Sequence, residues 1–398
     1  MVKILVLSFY YSPDLCAGSF RATALVEQLR LQVGTGVHID VLTTMPNRYV
    51  SFHVDAPAIE EHPGMTIRRI KLPEHSSGML DQAKAFIYFA KNVRRLVKSE
   101  EYDLVFATSS RLMTAALGAW VARKTHAKLY LDIRDIFVDT LNDILPRQVT
   151  YWIRPIFSAL EQWAFKSASR INGVSKGFQS YFEKRYPTQA FSWFTNGIDK
   201  EFIEPPIQAK PSPSGRLSVL YAGNLGEGQG LHMIIPILAK SMENRLQFKI
   251  IGDGGRIGQL QAEINKHGCT NVTIQPPVSR RQLLMEYEQA DVLFLHLNDY
   301  AAFKKVLPSK LFEYAAIGKP IWAGVSGYSA EFILSEITNA AVFEPCDAAG
   351  AVRAFQTLTL ETQHRQDFVR KYSREQIMRD MVLDVMSLVR ATASKRTL

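Results

Sequence analysis

A chain of 398 residues is longer than one ordinary core organises, so two domains are expected. Hydrophobic residues make up 47% and charged residues 21%, which excludes a disordered chain, and no apolar run reaches the ~20 residues of a membrane span. The net charge of +9 favours an anionic partner; with no zinc-finger, basic-zipper or RNA-stacking motif, a membrane surface fits better than nucleic acid.

The first apolar run, residues 4–11, has only Lys3 before it and enters Ser12-Pro13-Asp14 without a small-residue cleavage site. It reads as a buried strand and not a signal peptide, and a cytoplasmic location is expected. Strands over 3–9, 38–43, 65–72, 104–108 and 128–133 alternate with helices over 20–31, 83–97 and 115–124. Residues 201–216, with Pro205, Pro206, Pro211 and Pro213, read as an extended linker. A second series places strands at 218–222, 246–251, 272–275, 292–297, 320–323 and 341–343. Residues 367–398 read as helices, amphipathic over 375–389, that pack back toward the N-terminal domain. The expected architecture is α/β: two doubly wound Rossmann-like domains, 1–200 and 217–366, facing across a cleft at the carboxyl ends of their strands. Cys16, Cys269 and Cys346 are far apart and lack redox or metal-ligand spacing.

Several loops carry chemistry. Residues 13–21 open the first helix; Gly18 allows close approach to its N-terminus and Arg21 adds a cation for an acceptor or phosphate, although an ordinary strand-to-helix turn reads the same way. Gly223, Gly226, Gly228 and Gly230 fall within eight residues before a helix, a backbone cradle suited to a diphosphate, with a flexible loop as the alternative. Gly252, Gly254 and Gly255 form a second close-approach loop. Residues 306–321 are the strongest segment: Ser309 suits a helix N-cap, and Lys310 stands where a cation opposes the helix dipole unless it shares a bound anion with the helix amides. Glu313, one turn on, can accept both hydroxyls of a ribose; a Ser309–Glu313 capping box has the wrong offset. Asp132-Ile133-Arg134-Asp135 ends a strand with a carboxylate pair and an arginine, or forms a salt-bridged turn.

These residues together resemble the retaining GT-B glycosyltransferases of family 4, and most of all its bacterial O-antigen, capsule and exopolysaccharide members, such as the N-acetylfucosamine transferases. The matching stretches are Tyr221-Ala222-Gly223-Asn224-Leu225-Gly226, Pro308-Ser309-Lys310 with Glu313-Tyr314 and Gly318-Lys319-Pro320, and Asn196-Gly197-Ile198-Asp199. The resemblance implies a UDP-sugar donor, with Gly223, Asn224, Gly226, Ser309 and Lys310 near the diphosphate, Glu313 at the ribose, Pro277 and Val278 at the base, and Gly18 toward sugar and acceptor. It also implies retention of anomeric configuration. Asp135 and Arg134 stand where the family has a His, and with Lys310 are the candidate catalytic residues. Asn224 and Gln229 replace the family's cations in the glycine loop, and Lys305 replaces a Glu.

Without an Asp-x-Asp motif, no metal or other cofactor is expected, and Lys310 with a helix N-terminus would meet the charge of the leaving diphosphate. The expected acceptor is a polyprenyl-diphosphate-linked saccharide. Phe86, Ile87, Tyr88 and Phe89 beside Lys84, Lys91, Arg94 and Arg95, and Tyr151-Trp152-Ile153-Arg154, suit peripheral attachment at the inner face of a membrane, or else ordinary helices with a basic outer face. A UDP-sugar 2-epimerase of the same fold and a non-catalytic nucleotide- or polyanion-binding protein are the alternatives.

Overall fold

The structure, a computed structural model, describes residues 1–47, 55–73, 79–109, 112–144, 147–203 and 215–396. The chain forms two compact units, Met1–Asn196 with Glu375–Leu398, and Gly197–Arg374. The divisions fall at 196/197 and 374/375, so the expected limits at 200, 217 and 367 move. Most of the proline-rich stretch read as a linker, residues 204–214, lies outside the described residues.

In the first unit the order is β1 (Val2–Ser8), α1 (Ala17–Val33), β2 (Val37–Thr44), β3 (Ile59–His62), β4 (Met65–Ile70), α2 (Met79–Leu96), β5 (Leu104–Ser109), α3 (Leu112–Thr125), β6 (Lys128–Ile133), α4 (Phe137–Ile144), α5 (Arg147–Lys166), β7 (Arg170–Gly173), α6 (Gln179–Arg185) and β8 (Phe191–Ser192). The sheet runs β3-β4-β2-β1-β5-β6-β7-β8, parallel except for the β3–β4 hairpin at its edge. Sequence reasoning missed β3 because Glu60, Glu61 and His62 break its alternation. It also missed α5 as one helix, because Pro155 stands inside it.

The second unit contains β9 (Leu217–Ala222), α7 (Leu231–Ser241), β10 (Leu246–Ile251), α8 (Ile257–Lys266), β11 (Val272–Gln275), α9 (Arg280–Gln289), β12 (Val292–His296), α10 (Lys310–Ile317), β13 (Ile321–Gly324), α11 (Tyr328–Glu336), β14 (Ala340–Phe343), α12 (Ala348–Phe355) and α13 (Gln366–Lys371). Its sheet, β11-β10-β9-β12-β13-β14, is parallel throughout. Strands buried on both faces must be nearly continuous apolar runs, as Val292-Leu293-Phe294-Leu295 is. Val219, Phe248, Phe294 and Trp322 pack with α7 and α12 into one core, where Trp322 donates its indole N–H to the Ala351 carbonyl at 3.0 Å. The last helix, α14 (Arg374–Arg396), joins the first unit from Glu375 onward.

Both sheets reverse direction next to their first strand, β1 between β2 and β5 and β9 between β10 and β12. The loops leaving the carboxyl ends of those strands are where doubly wound sheets bind ligands.

Candidate active site

In the second unit, β9 delivers the glycine loop to its switch point. Gly223 has φ +145°, a backbone conformation that favours glycine, and a Cβ there would stand 2.5 Å from Lys310 Nζ, so a side chain would displace that ammonium. Lys310 is the first residue of α10, and its ammonium lies 3.7 Å from the centroid of the Tyr221 ring. Desolvation pulls this half-buried amine down to about 7, while Glu313 opposes that shift. A desolvated cation at a helix N-terminus is an unfavourable arrangement that an anion would relieve. Ser309 occupies the N-cap position but has αR backbone and no capping side-chain bond, so the cap expected of it is corrected.

Glu313, one turn further, accepts a hydrogen bond from the Tyr287 hydroxyl at 3.1 Å. Desolvation raises its pKa, Arg280 opposes the rise and Asp199 adds to it. Asp199 takes up Arg280 at 2.7 Å and also binds Arg374, so Glu313 has no ion pair of its own among the described residues. Tyr314 ties α10 to β9 by accepting from the Ala222 amide at 3.3 Å.

The glycine loop is ordered from within and below. Gln229 Oε1 accepts from Asn224 Nδ2 at 2.8 Å and from the Gly226 amide at 3.3 Å, an amide pair in the two positions that the family resemblance fills with cations. Gly252 packs backbone to backbone on Gly223, so the second glycine loop serves close approach of the chain to itself. Pro277 and Val278 are half-buried in the loop after β11. Lys304 is exposed, 3.9 Å from Asp299.

In the first unit, Arg21 is only 1% exposed and fully engaged. It donates to both Asp132 carboxylate oxygens at 2.9 Å and to the carbonyls of Thr195 at 2.7 Å and Phe194 at 2.8 Å. Burial raises the Asp132 pKa, but Arg21, with Asn172 and Thr108, outweighs it and holds the carboxylate low. Arg21 is therefore a core ion pair and not a contact for an acceptor or phosphate. The guanidinium of Arg134 fills the space where a Cβ at Gly18 would stand, so that glycine makes room for Arg134 over the start of α1. The Nε of Arg134 is buried with no hydrogen-bond partner. Desolvation pushes neighbouring Asp135 up to about 6 against the pull of Arg134, although the residue as a whole is exposed. Among the described residues, no group of three or more His, Cys, Asp or Glu side chains is placed to hold a metal ion.

Sequence reasoning did not single out His296 and Asn298, which bond the glycine loop, Tyr287, which bonds Glu313, or Arg280, whose charge acts on Glu313 from its pairing with Asp199. Each lies on or beside a strand or helix whose periodicity gives no sign of a polar role.

The chain matches two family descriptions: the Glycosyl transferase 4-like domain over residues 20–190 and Glycosyl transferases group 1 over residues 203–376. It belongs to the GT-B glycosyltransferases of family 4. Among curated relatives, this family-4 glycosyltransferase is 23% identical over 412 residues to a putative colanic acid biosynthesis glycosyl transferase, WcaI, of Escherichia coli (strain K12), covering 96% of this chain and 100% of that one. Anabaena HepE, solved in complex with UDP-glucose, superposes with a TM-score of 0.67 at 16% identity over 97% of this chain and 100% of that chain. WaaG, a glycosyltransferase involved in lipopolysaccharide biosynthesis, gives 0.62 at 15% identity over 98% of both chains. These solved structures share its fold.

Proposed function

We propose that this enzyme transfers a sugar, an N-acetylated hexosamine or deoxyhexosamine, from a UDP-sugar to a polyprenyl-diphosphate-linked saccharide during assembly of a surface polysaccharide. The observation that carries the reading is Lys310, which forms no ion pair among the described residues, at the start of α10 against the glycine loop, with Glu313 one turn beyond. A diphosphate meets the cation and helix amides, and a ribose one turn away meets a carboxylate that forms no ion pair among the described residues. The colanic acid role of WcaI and the lipopolysaccharide role of WaaG support the polysaccharide setting, and HepE's UDP-glucose supports the donor.

In the reaction, the bond between the anomeric carbon and the diphosphate oxygen breaks as an acceptor oxygen bonds to the same carbon. The acceptor proton passes to a phosphate oxygen of the leaving group, on the same face, with retention. Charge grows on that group in the transition state, so Lys310 contributes more there than in the ground state and no metal is required. Arg134 and Asp135, in the first unit, are assigned to the acceptor.

Peripheral membrane attachment belongs to the same reading, with a correction to its residues. Phe86 and Phe89 are buried and pack against Phe9, so they are core. Ile87, Tyr88, Tyr151, Trp152 and Ile156 are exposed, on α2 and α5, with Lys84, Lys91, Arg94, Arg95 and Arg154 exposed beside them. No helix among the described residues is long and apolar enough to cross a membrane.

Calorimetric titration of UDP into wild type and Lys310→Ala tests the donor site. Binding weakened about tenfold or more in the variant supports it; equal affinity overturns the assignment of Lys310.

A further inference from the structure

The end of β12 holds a buried polar group whose hydrogen bonds are fully specified. His296 is 1% exposed, stacked 6.1 Å from Phe294 with Phe343 at 6.1 Å on another side. The Cys346 backbone amide lies 3.0 Å from Nε2; an amide can only donate, so Nε2 accepts and carries no proton. The proton of the neutral ring is then on Nδ1, which donates to the Gln229 carbonyl at 2.7 Å. Two residues on, Asn298 donates from its backbone amide to the Gly228 carbonyl at 2.9 Å and from Nδ2 to the Glu227 carbonyl at 3.1 Å. Tyr300 donates its hydroxyl to Glu227 at 2.5 Å. One short segment thus grips three consecutive carbonyls of the glycine loop, 227, 228 and 229.

We propose that His296 is a positioning residue that sets the glycine loop for the donor diphosphate, with Asn298 as the second point of the same clamp. The inference rests on the donor site proposed above. Its reason is electrostatic. Asn224 and Gln229 are bonded to one another and bring no charge, so diphosphate binding depends on Lys310 and on dipoles that must already point the right way. A preorganised dipole is useful only if its carrier does not reorient. The side chain of Gln229 organises Asn224 and Gly226, while its backbone is fixed by His296, so the imidazole sets the orientation of that network without touching the ligand. Burial holds the ring down at about 4, so it stays neutral and both bonds persist at every working pH. Asn298, the second point of the clamp, is also uncharged, and an ion at the depth of His296 would be costly.

The test is UDP titration and donor kinetics of His296→Asn, His296→Gln and Asn298→Ala, with melting curves and Lys310→Ala alongside. An Asn amide can reach the place of Nδ1–H and keep the bond to Gln229; a Gln amide reaches the place of Nε2 and keeps only the bond from Cys346. His296→Gln is expected to raise the Kd for UDP and the KM for the donor about tenfold, with kcat at saturation within about twofold. His296→Asn is expected to retain affinity within about threefold, and Asn298→Ala to behave like His296→Gln. Folded His296→Gln and Asn298→Ala proteins with wild-type UDP affinity overturn the proposal if Lys310→Ala is impaired. If Lys310→Ala is equally unimpaired, the donor site itself is misassigned. If His296→Gln does not fold, Asn298→Ala, which leaves the imidazole in place, decides alone.

Discussion

At the residue scale, Lys310 has a pH signature. Its folded pKa is lowered to about 7 from 10.5, so between those values the unfolded chain binds the extra proton and stability rises with pH. A bound diphosphate favours the ammonium, so UDP binding takes up a proton above pH 7. Affinity is expected to fall as pH rises from 7 to 9, by at most about tenfold per unit, in a range where the nucleotide is already ionised. Titrations in buffers of different ionisation enthalpy read the proton directly, and a flat profile in wild type contradicts the assignment. Glu313→Gln keeps the size but replaces one acceptor with a donor. UDP affinity should drop roughly tenfold with an unchanged melting temperature, because charge-assisted bonds contribute ~1.5–3 kcal/mol and the residue has no ion pair to lose among the described residues. A loss of thermal stability with normal UDP binding would make Glu313 structural. Arg21→Ala gives the opposite pattern. It leaves Asp132 charged and buried, which costs about 3–5 kcal/mol, so melting should fall sharply and a partly stabilised protein should still bind UDP. Normal stability in that variant would refute the core role. That Lys310 and Glu313 share the first turns of one helix was legible from their spacing. The role of Arg21 was not, because its partner Asp132 is 111 residues away and only the folded sheet brings them together.

At the element scale, most strands were visible as apolar runs, and errors concentrated where another constraint outweighed periodicity. The helix read over 83–97 exists as α2, yet its four consecutive apolar residues divide between two faces, Phe86 and Phe89 inward and Ile87 and Tyr88 outward. A run in sequence cannot reveal that division until the helical phase is fixed against the core. α5 carries the more exposed surface, with Trp152 74% and Tyr151 73% accessible, and α3 packs against both α2 and α5. Trp152→Glu is expected to reduce pelleting with vesicles containing anionic lipid severalfold without altering UDP affinity, and high salt should release the wild type. Equal pelleting of variant and wild type, or salt-independent binding to neutral vesicles, would remove α5 from a membrane interface.

At the scale of the whole molecule, two alternating strand–helix series implied two doubly wound units, and the comparisons agree with the fold. The points where the chain passes from one unit to the other were less legible. Ile198 bridges to Ser373 and Gly197 lies against Arg374, so the first and last residues of the second unit pair with one another, a contact between segments 175 residues apart. Nothing local in either segment announces it. Transfer from a UDP-sugar to a lipid-linked acceptor is measured by release of nucleoside diphosphate from UDP-sugars and GDP-sugars, with and without a polyprenyl-diphosphate-linked saccharide and with EDTA present. Acceptor-dependent UDP release that survives EDTA is expected. Release confined to GDP-sugars, turnover that produces free sugar without an acceptor, or activity lost to EDTA and restored by Mg²⁺ would contradict it.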